Sequence, residues 1–185
     1  FIIAFGATAI SVAVGFLYAL IVAYTNIRFK RLVELLVILP YIIPGYVVTL
    51  SWTALFAGNS PVNTFLRENG LPVINMYSLG GIILVLGISN AALVYLNIVD
   101  ILRKVPQEQE WASRIAGYRM KETLRNINFQ TVLPAIVSGV ILAFLSSIDN
   151  FAITATLGSP AGITVLSTYI YEKAIGFGPA SFNQA

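Results

Sequence analysis

The chain has no cysteine, no histidine, and only 10% charged residues among its 185. Without cysteine there is no disulfide and no thiolate metal site. Without histidine the commonest general base and metal ligand is gone as well. No G-x-x-x-x-G-K-[ST] segment occurs, so the chain lacks a phosphate-cradling loop of its own. The carboxylates are not clustered, and no serine can be paired with a histidine. These absences leave no catalytic residue and no metal site, so the chain is not expected to be an enzyme or to bind a cofactor itself.

The scarcity of charge also fixes the class. A soluble domain carries roughly 25% charged residues, whereas this chain is 57% apolar, with a mean hydropathy of +0.82. Several apolar runs exceed the roughly 18 residues that mark a bilayer span. A β-barrel would need alternating segments of about ten residues, and these runs are longer and unbroken. The expected fold is an all-α, polytopic membrane helical bundle. The formal charge of +3 does not point to nucleic acid, because the basic residues lie in loops between spans.

Four spans are expected, over about 1–25, 32–56, 79–102 and 131–157. In the first, Gly6, Ala9, Ser11 and Gly15 are small enough for close helix–helix approach. The second contains Pro40 and Pro44, which predict a kinked helix, either lining a pathway or simply packing irregularly. Residues 57–78 are turn-rich, with one short helix around 63–68. The tail predicts a short helix near 163–174 and a loop at GFGPASF. The chain is expected to be a partial transmembrane domain, with further spans outside it.

Arg28, Lys30 and Arg31 fall in the first loop, and Arg103, Lys104, Arg114, Arg119, Lys121 and Arg125 in or just before the third. Nine of the eleven Lys and Arg thus lie in two loops that a four-span model puts on one side. The positive-inside rule makes 26–31 and 103–130 cytoplasmic, and 57–78 and 158–185 extracytoplasmic.

The interval 106–134 is the only long charged segment. Pro106 suits a helix start, Glu108 and Glu110 suit its first turn, and Trp111 and Ile115 share one face. Gly117 suits a helix end. A second helix is expected over 120–129, and Pro134 is expected to mark entry to the fourth span. Two short helices joined at a glycine make a knob for a partner protein; the alternative is an amphipathic helix on the lipid surface.

Pro106, Glu110, Trp111, Ala112, Ser113 and Gly117, followed by Leu133-Pro134, resemble the loop motif of membrane subunits of binding-protein-dependent (type I, MetI-like) ABC importers. The motif glutamate usually falls where Trp111 stands, and Ser113 replaces its second alanine. LPYIIPGYVVTLSW and SSIDNFAITATLG resemble the ferric iron, polyamine and thiamine branch, and the ferric-iron permeases within it. The resemblance implies a type I importer permease fold in a bacterial inner membrane. It implies a coupling loop, 103–130 with Ile115 on its face, that meets an ATPase subunit holding ATP and Mg. It also implies a second permease half, fused or separate, and an extracytoplasmic substrate-binding protein. An ion-gradient-driven secondary transporter is the other reading; it would need midplane coupling-ion residues, and Asp149 is the only deep carboxylate.

Asp149 lies fifteen residues after Pro134, roughly 22 Å along a helix. Ser146, Asp149 and Asn150 fall at i, i+3 and i+4 and predict a polar patch on the substrate path. Pro40 and Pro44 are path candidates with them. A helix–helix hydrogen bond with Asn90, Asn97 or another subunit is the alternative for this patch. Asp100 is expected to pair with Arg103 or Lys104.

Overall fold

The computed structural model describes residues 1–26 and 28–176, and every regular element among them is a helix. The GFGPASF loop and the rest of the tail past residue 176 lie outside the described residues.

Helices α1 (Ile2–Tyr24) and α5 (Leu79–Leu102) form the spine. Their length and apolarity let each cross a membrane. Buried Ala4, Thr8, Ser11, Gly15 and Ala19 make a ridge of small residues along α1. Backbones can approach closely along such a ridge. A Cβ at Gly15 would fall 2.6 Å from the Ala91 carbonyl, and one at Gly87 2.6 Å from Ile10. The Ser11 hydroxyl lies 2.8 Å from the Ala7 carbonyl and 2.9 Å from that of Gly87 on the facing helix. Ala9 lies off this ridge and is exposed, contrary to expectation. Gly6 meets Ile83 and Gly15 meets Val94, so α1 and α5 run parallel.

Helix α8 (Phe129–Asp149) is antiparallel to α5: Ser147 meets Asn90 at one end, and Gly139 meets Val94 further along. This arrangement brings the C-termini of α1 and α5 and the N-terminus of α8 to one end of the bundle. The two basic loops therefore share that end, as the charge pattern requires. Ala19, Val22, Tyr95, Ile98, Leu102 and Val132 pack there, while Ile3, Ala7, Ile82, Leu86, Ile153 and Leu157 pack at the opposite end.

Between the two loops the second span is broken more sharply than a kink. Helices α2 (Lys30–Ile42) and α3 (Gly45–Leu55) meet at 107°. Pro40 is carried inside α2, but Pro44 stops it. A proline disfavours helical backbone at the residue before it, and Ile43 is extended at φ −69°, ψ 135°. Beyond the break, α3 packs on α9 (Ala152–Gly158). Helix α4 (Pro61–Glu68) follows, capped by Ser60, whose Oγ accepts from the Asn63 amide. Ser78 caps α5 in the same way, accepting from Gly81.

The fourth span differs at both ends. The expected second loop helix is not separate. Helix α7 (Met120–Thr123) passes through a π-helical turn, Leu124–Asn128, directly into α8, making one rod from Met120 to Asp149. Pro134 lies inside this rod rather than at its entry. At the other end the helix stops at Asp149. Asn150 is extended, and its Oδ1 accepts from the Ile153 amide at 2.9 Å, opening α9. An Asn side chain that captures a backbone amide three residues on competes with helix continuation. Helix α10 (Leu166–Gly176) closes the described chain. The expected Asp100 pair is replaced: Arg103 pairs with Glu34 of α2, and Asp100 is exposed without an ion pair among the described residues.

Candidate functional site

Two places carry the sequence-derived residues. The first is a hairpin at the basic end, formed by α6 (Gln107–Ile115) and α7. Pro106 is the N-cap of α6. At its C-terminus Gly117 takes φ +89°, the left-handed conformation that glycine adopts without a Cβ penalty. The Gly117 amide bonds to Arg114 and the Tyr118 amide to Ser113, which satisfies two of the last carbonyls of α6. Arg119 and Glu122 then start α7, with the Arg119 amide donating to Glu122 Oε2 at 2.7 Å. The two helices are tied side chain to side chain by Ser113 Oγ and Thr123 Oγ1, 2.9 Å apart.

Little else holds α6 down. Trp111 is 59% exposed and Ile115 87%, and Ala112, Tyr118 and Met120 are exposed beside them. The shared face of Trp111 and Ile115 therefore points away from the bundle. Glu110 lies on α6, with its side chain outside the described set. Leu133 and Pro134 are exposed along α8, apart from this hairpin.

The second place is a cleft of about 530 Å³ between α2, α5, α8 and α10, lined by Tyr41, Leu93, Ser146, Asp149, Ser167 and neighbouring apolar side chains. Asp149 is exposed to it, and its carboxylate makes no ion pair or hydrogen bond among the described residues. Ser146 lines the cleft yet donates to Asn90 Oδ1 at 3.0 Å, while Asn90 Nδ2 donates to Ser147 Oγ at 3.0 Å. The helix–helix alternative thus holds for both serines, whereas the Asp149 carboxylate stays open to the cleft. Asn150 does not extend the patch, because its side chain caps α9 and its carbonyl accepts from Thr154 and Ser167. Pro40 and Pro44 do not line the cleft. Tyr41, between them in sequence, does. Sequence reading missed Tyr41 and Ser167; neither is rare or patterned enough to stand out without the register of α2 and α10 against α8. No cluster of three or more metal-ligating side chains occurs among the described residues.

Comparison with known proteins gives the family. The family model described as "Binding-protein-dependent transport system inner membrane component" matches residues 11–177. The chain is 29% identical over 182 residues to the galactooligosaccharides transport system permease protein of Bacillus subtilis (strain 168), covering 90% of this chain and 44% of that one. It is 27% identical over 177 residues to the "Putative 2-aminoethylphosphonate transport system permease protein" of Salmonella typhimurium, covering 94% of this chain and 62% of that one. To the "Probable sulfate transport system permease protein" of Prototheca wickerhamii it is 24% identical over 161 residues, covering 86% and 62%. The chain therefore spans roughly half to three fifths of the length of these relatives. Their names cover a sugar, a phosphonate and sulfate, so the narrower iron, polyamine and thiamine branch gains no support from them. The helical architecture and the match over residues 11–177 agree: the chain belongs to the family of binding-protein-dependent transport system inner membrane components.

Proposed function

We propose that this chain is the permease part of an ABC importer, with an ATPase subunit docking on the α6–α7 hairpin and substrate passing the Asp149 cleft. The observation that carries the docking role is the Trp111–Ile115 face, left exposed on a regular helix that the bundle does not cover. A solvated linker has no reason to hold an apolar face in a fixed helix. The parallel α1–α5 pair with antiparallel α8 supports a cytoplasmic placement, since it gathers the basic loops at the hairpin's end. The ATPase would hold ATP and Mg. Closure of that subunit would pull on α6, and the continuous rod from Met120 to Asp149 would carry the movement to the cleft 29 residues away. A second permease half completes the path, and a binding protein delivers cargo at the opposite end.

For cargo the proposal is ferric iron, with polyamine or thiamine as the alternatives. Asp149 supports a cation, since an unpaired carboxylate in a path attracts positive charge and repels anions such as sulfate. The ion-gradient mechanism is not favoured, because among the described residues no second carboxylate joins Asp149 in the cleft.

Deletion of residues 110–117 tests the coupling role in a reconstituted complex with its ATPase and binding protein. Substrate-stimulated ATPase activity should be lost while the spans remain inserted. Stimulation at the wild-type level would remove the hairpin from the mechanism.

A further inference from the structure

A second cavity opens at the basic end, on the flank of the bundle between α1, α5 and the α7–α8 rod. Its volume is about 370 Å³. That is roughly a dozen times the share of one water molecule. Its walls are Phe16, Leu20, Leu102, Leu124, Phe129 and Val132, with Phe16 and Phe129 meeting edge to face at 6.3 Å. Lys121 and Arg125 line the same cavity at the start of the rod. Neither has an ion pair among the described residues, and both are exposed. Two like charges four residues apart on a helical segment repel each other, and an anion between them would relieve that repulsion.

The dimensions fit a membrane-facing groove. Phe16 lies eight residues before the end of α1, about 12 Å into the bundle, and Val132 lies eleven residues past Lys121, about 16 Å. The cavity thus begins at the two cations and runs inward as an apolar slot. Below the two cations the lining is apolar apart from Asn128, whose Nδ2 donates to the Tyr24 hydroxyl. A basic mouth above an apolar wall at the level where spans leave the bilayer is the arrangement that holds acidic lipid headgroups.

We propose that this groove binds one anionic phospholipid of the leaflet at the basic end, with its phosphate between Lys121 and Arg125 and one acyl chain against Phe16, Leu20 and Phe129. Because the mouth is built from α7 and the π turn, the bound lipid braces the segment that joins the hairpin to the rod. The lipid is selected by charge at the mouth and held by apolar contact below it. This site is separate from the Asp149 cleft and does not depend on which cargo crosses.

The test uses the complete transporter in lipid nanodiscs, with spin-labelled phosphatidylglycerol and spin-labelled phosphatidylcholine as probes. The motionally restricted fraction should favour phosphatidylglycerol, by about fivefold for each cation in contact. K121Q/R125Q should erase that preference, while R114Q, a cation of the same loop outside the groove, should leave it intact. Millimolar inorganic phosphate should not compete. Equal restriction of the two lipids by the wild-type transporter would overturn the proposal without any variant being made. So would a preference that survives K121Q/R125Q, or displacement by free phosphate. The segment has no cysteine of its own, so Leu124→Cys offers a second measurement. A lipid-soluble maleimide should label it, and protection from labelling would mean that protein, not lipid, covers the groove.

Discussion

Helices α4 and α6 are built from nearly the same local parts and end in opposite situations. Each starts at a proline-marked cap, runs about two turns, and ends on a glycine with positive φ, Gly70 at +69° and Gly117 at +89°. Helix α4 is locked into its loop. Asn63 is 2% exposed, and its Nδ2 donates toward the carbonyls of Phe56, Ala57 and Ile74 while its Oδ1 accepts from the Ile74 amide. One side chain thereby closes the whole 56–74 loop. Helix α6 has no such lock, only the Ser113–Thr123 contact, and its apolar residues face outward. Local helix chemistry is therefore silent about role. What separates a structural plug from a docking element is whether the apolar and polar groups are satisfied within the chain.

That contrast breaks most visibly at Asn63. Asn63→Leu strands the Phe56 and Ile74 carbonyls and the Ile74 amide in a part-buried site, while Ala57 keeps the Ser60 amide, and each unsatisfied buried group costs about 1–3 kcal/mol. Allowing for relaxation, a loss of about 3 kcal/mol is expected in thermal unfolding of the permease, with ATPase stimulation per folded complex unchanged. Next come the two glycines. Gly70→Ala and Gly117→Ala each force an alanine to positive φ at a cost of about 1 kcal/mol, and a Cβ at either meets nothing within 4 Å. The two should lower stability alike, yet only Gly117→Ala should weaken coupling. Equal coupling in both would dissolve the distinction between the loops. Smallest is Ser113→Ala, which removes one exchangeable hydroxyl contact worth about 0.5–1.5 kcal/mol. It should loosen α6 on α7 with little change in melting temperature, seen as faster amide exchange over 107–115.

Much of this contrast was legible in the sequence. Span three is found over the expected 79–102, because its apolar run begins at a Ser78 cap and ends at Arg103-Lys104. Glycine and proline punctuation likewise located α4 and α6. The failures share a cause, which is that they depend on partners remote in sequence. Pro44 announced a break, but 107° follows from α3 finding α9. Pro134 looked like a boundary, yet a proline can sit inside a membrane helix whose neighbours re-satisfy the freed carbonyl. Asn150 fitted a helical face by spacing, and its capping of Ile153 instead ended the helix there. Ser146 and Asp149 were alike as polar residues on one face until the register of α8 on α5 gave Asn90 to the serine and left the carboxylate alone.

The central claim is that the Trp111–Ile115 face exists for a partner, and Trp111→Ala combined with Ile115→Ala tests it directly. Both side chains are exposed, so unfolding of the isolated permease should shift by less than about 0.5 kcal/mol. In the reconstituted transporter the same double variant should lose substrate-stimulated ATPase activity and retain less ATPase subunit on purification. A variant that destabilises the permease by several kcal/mol, or that keeps full stimulation, would show that the face packs within the chain or serves no partner.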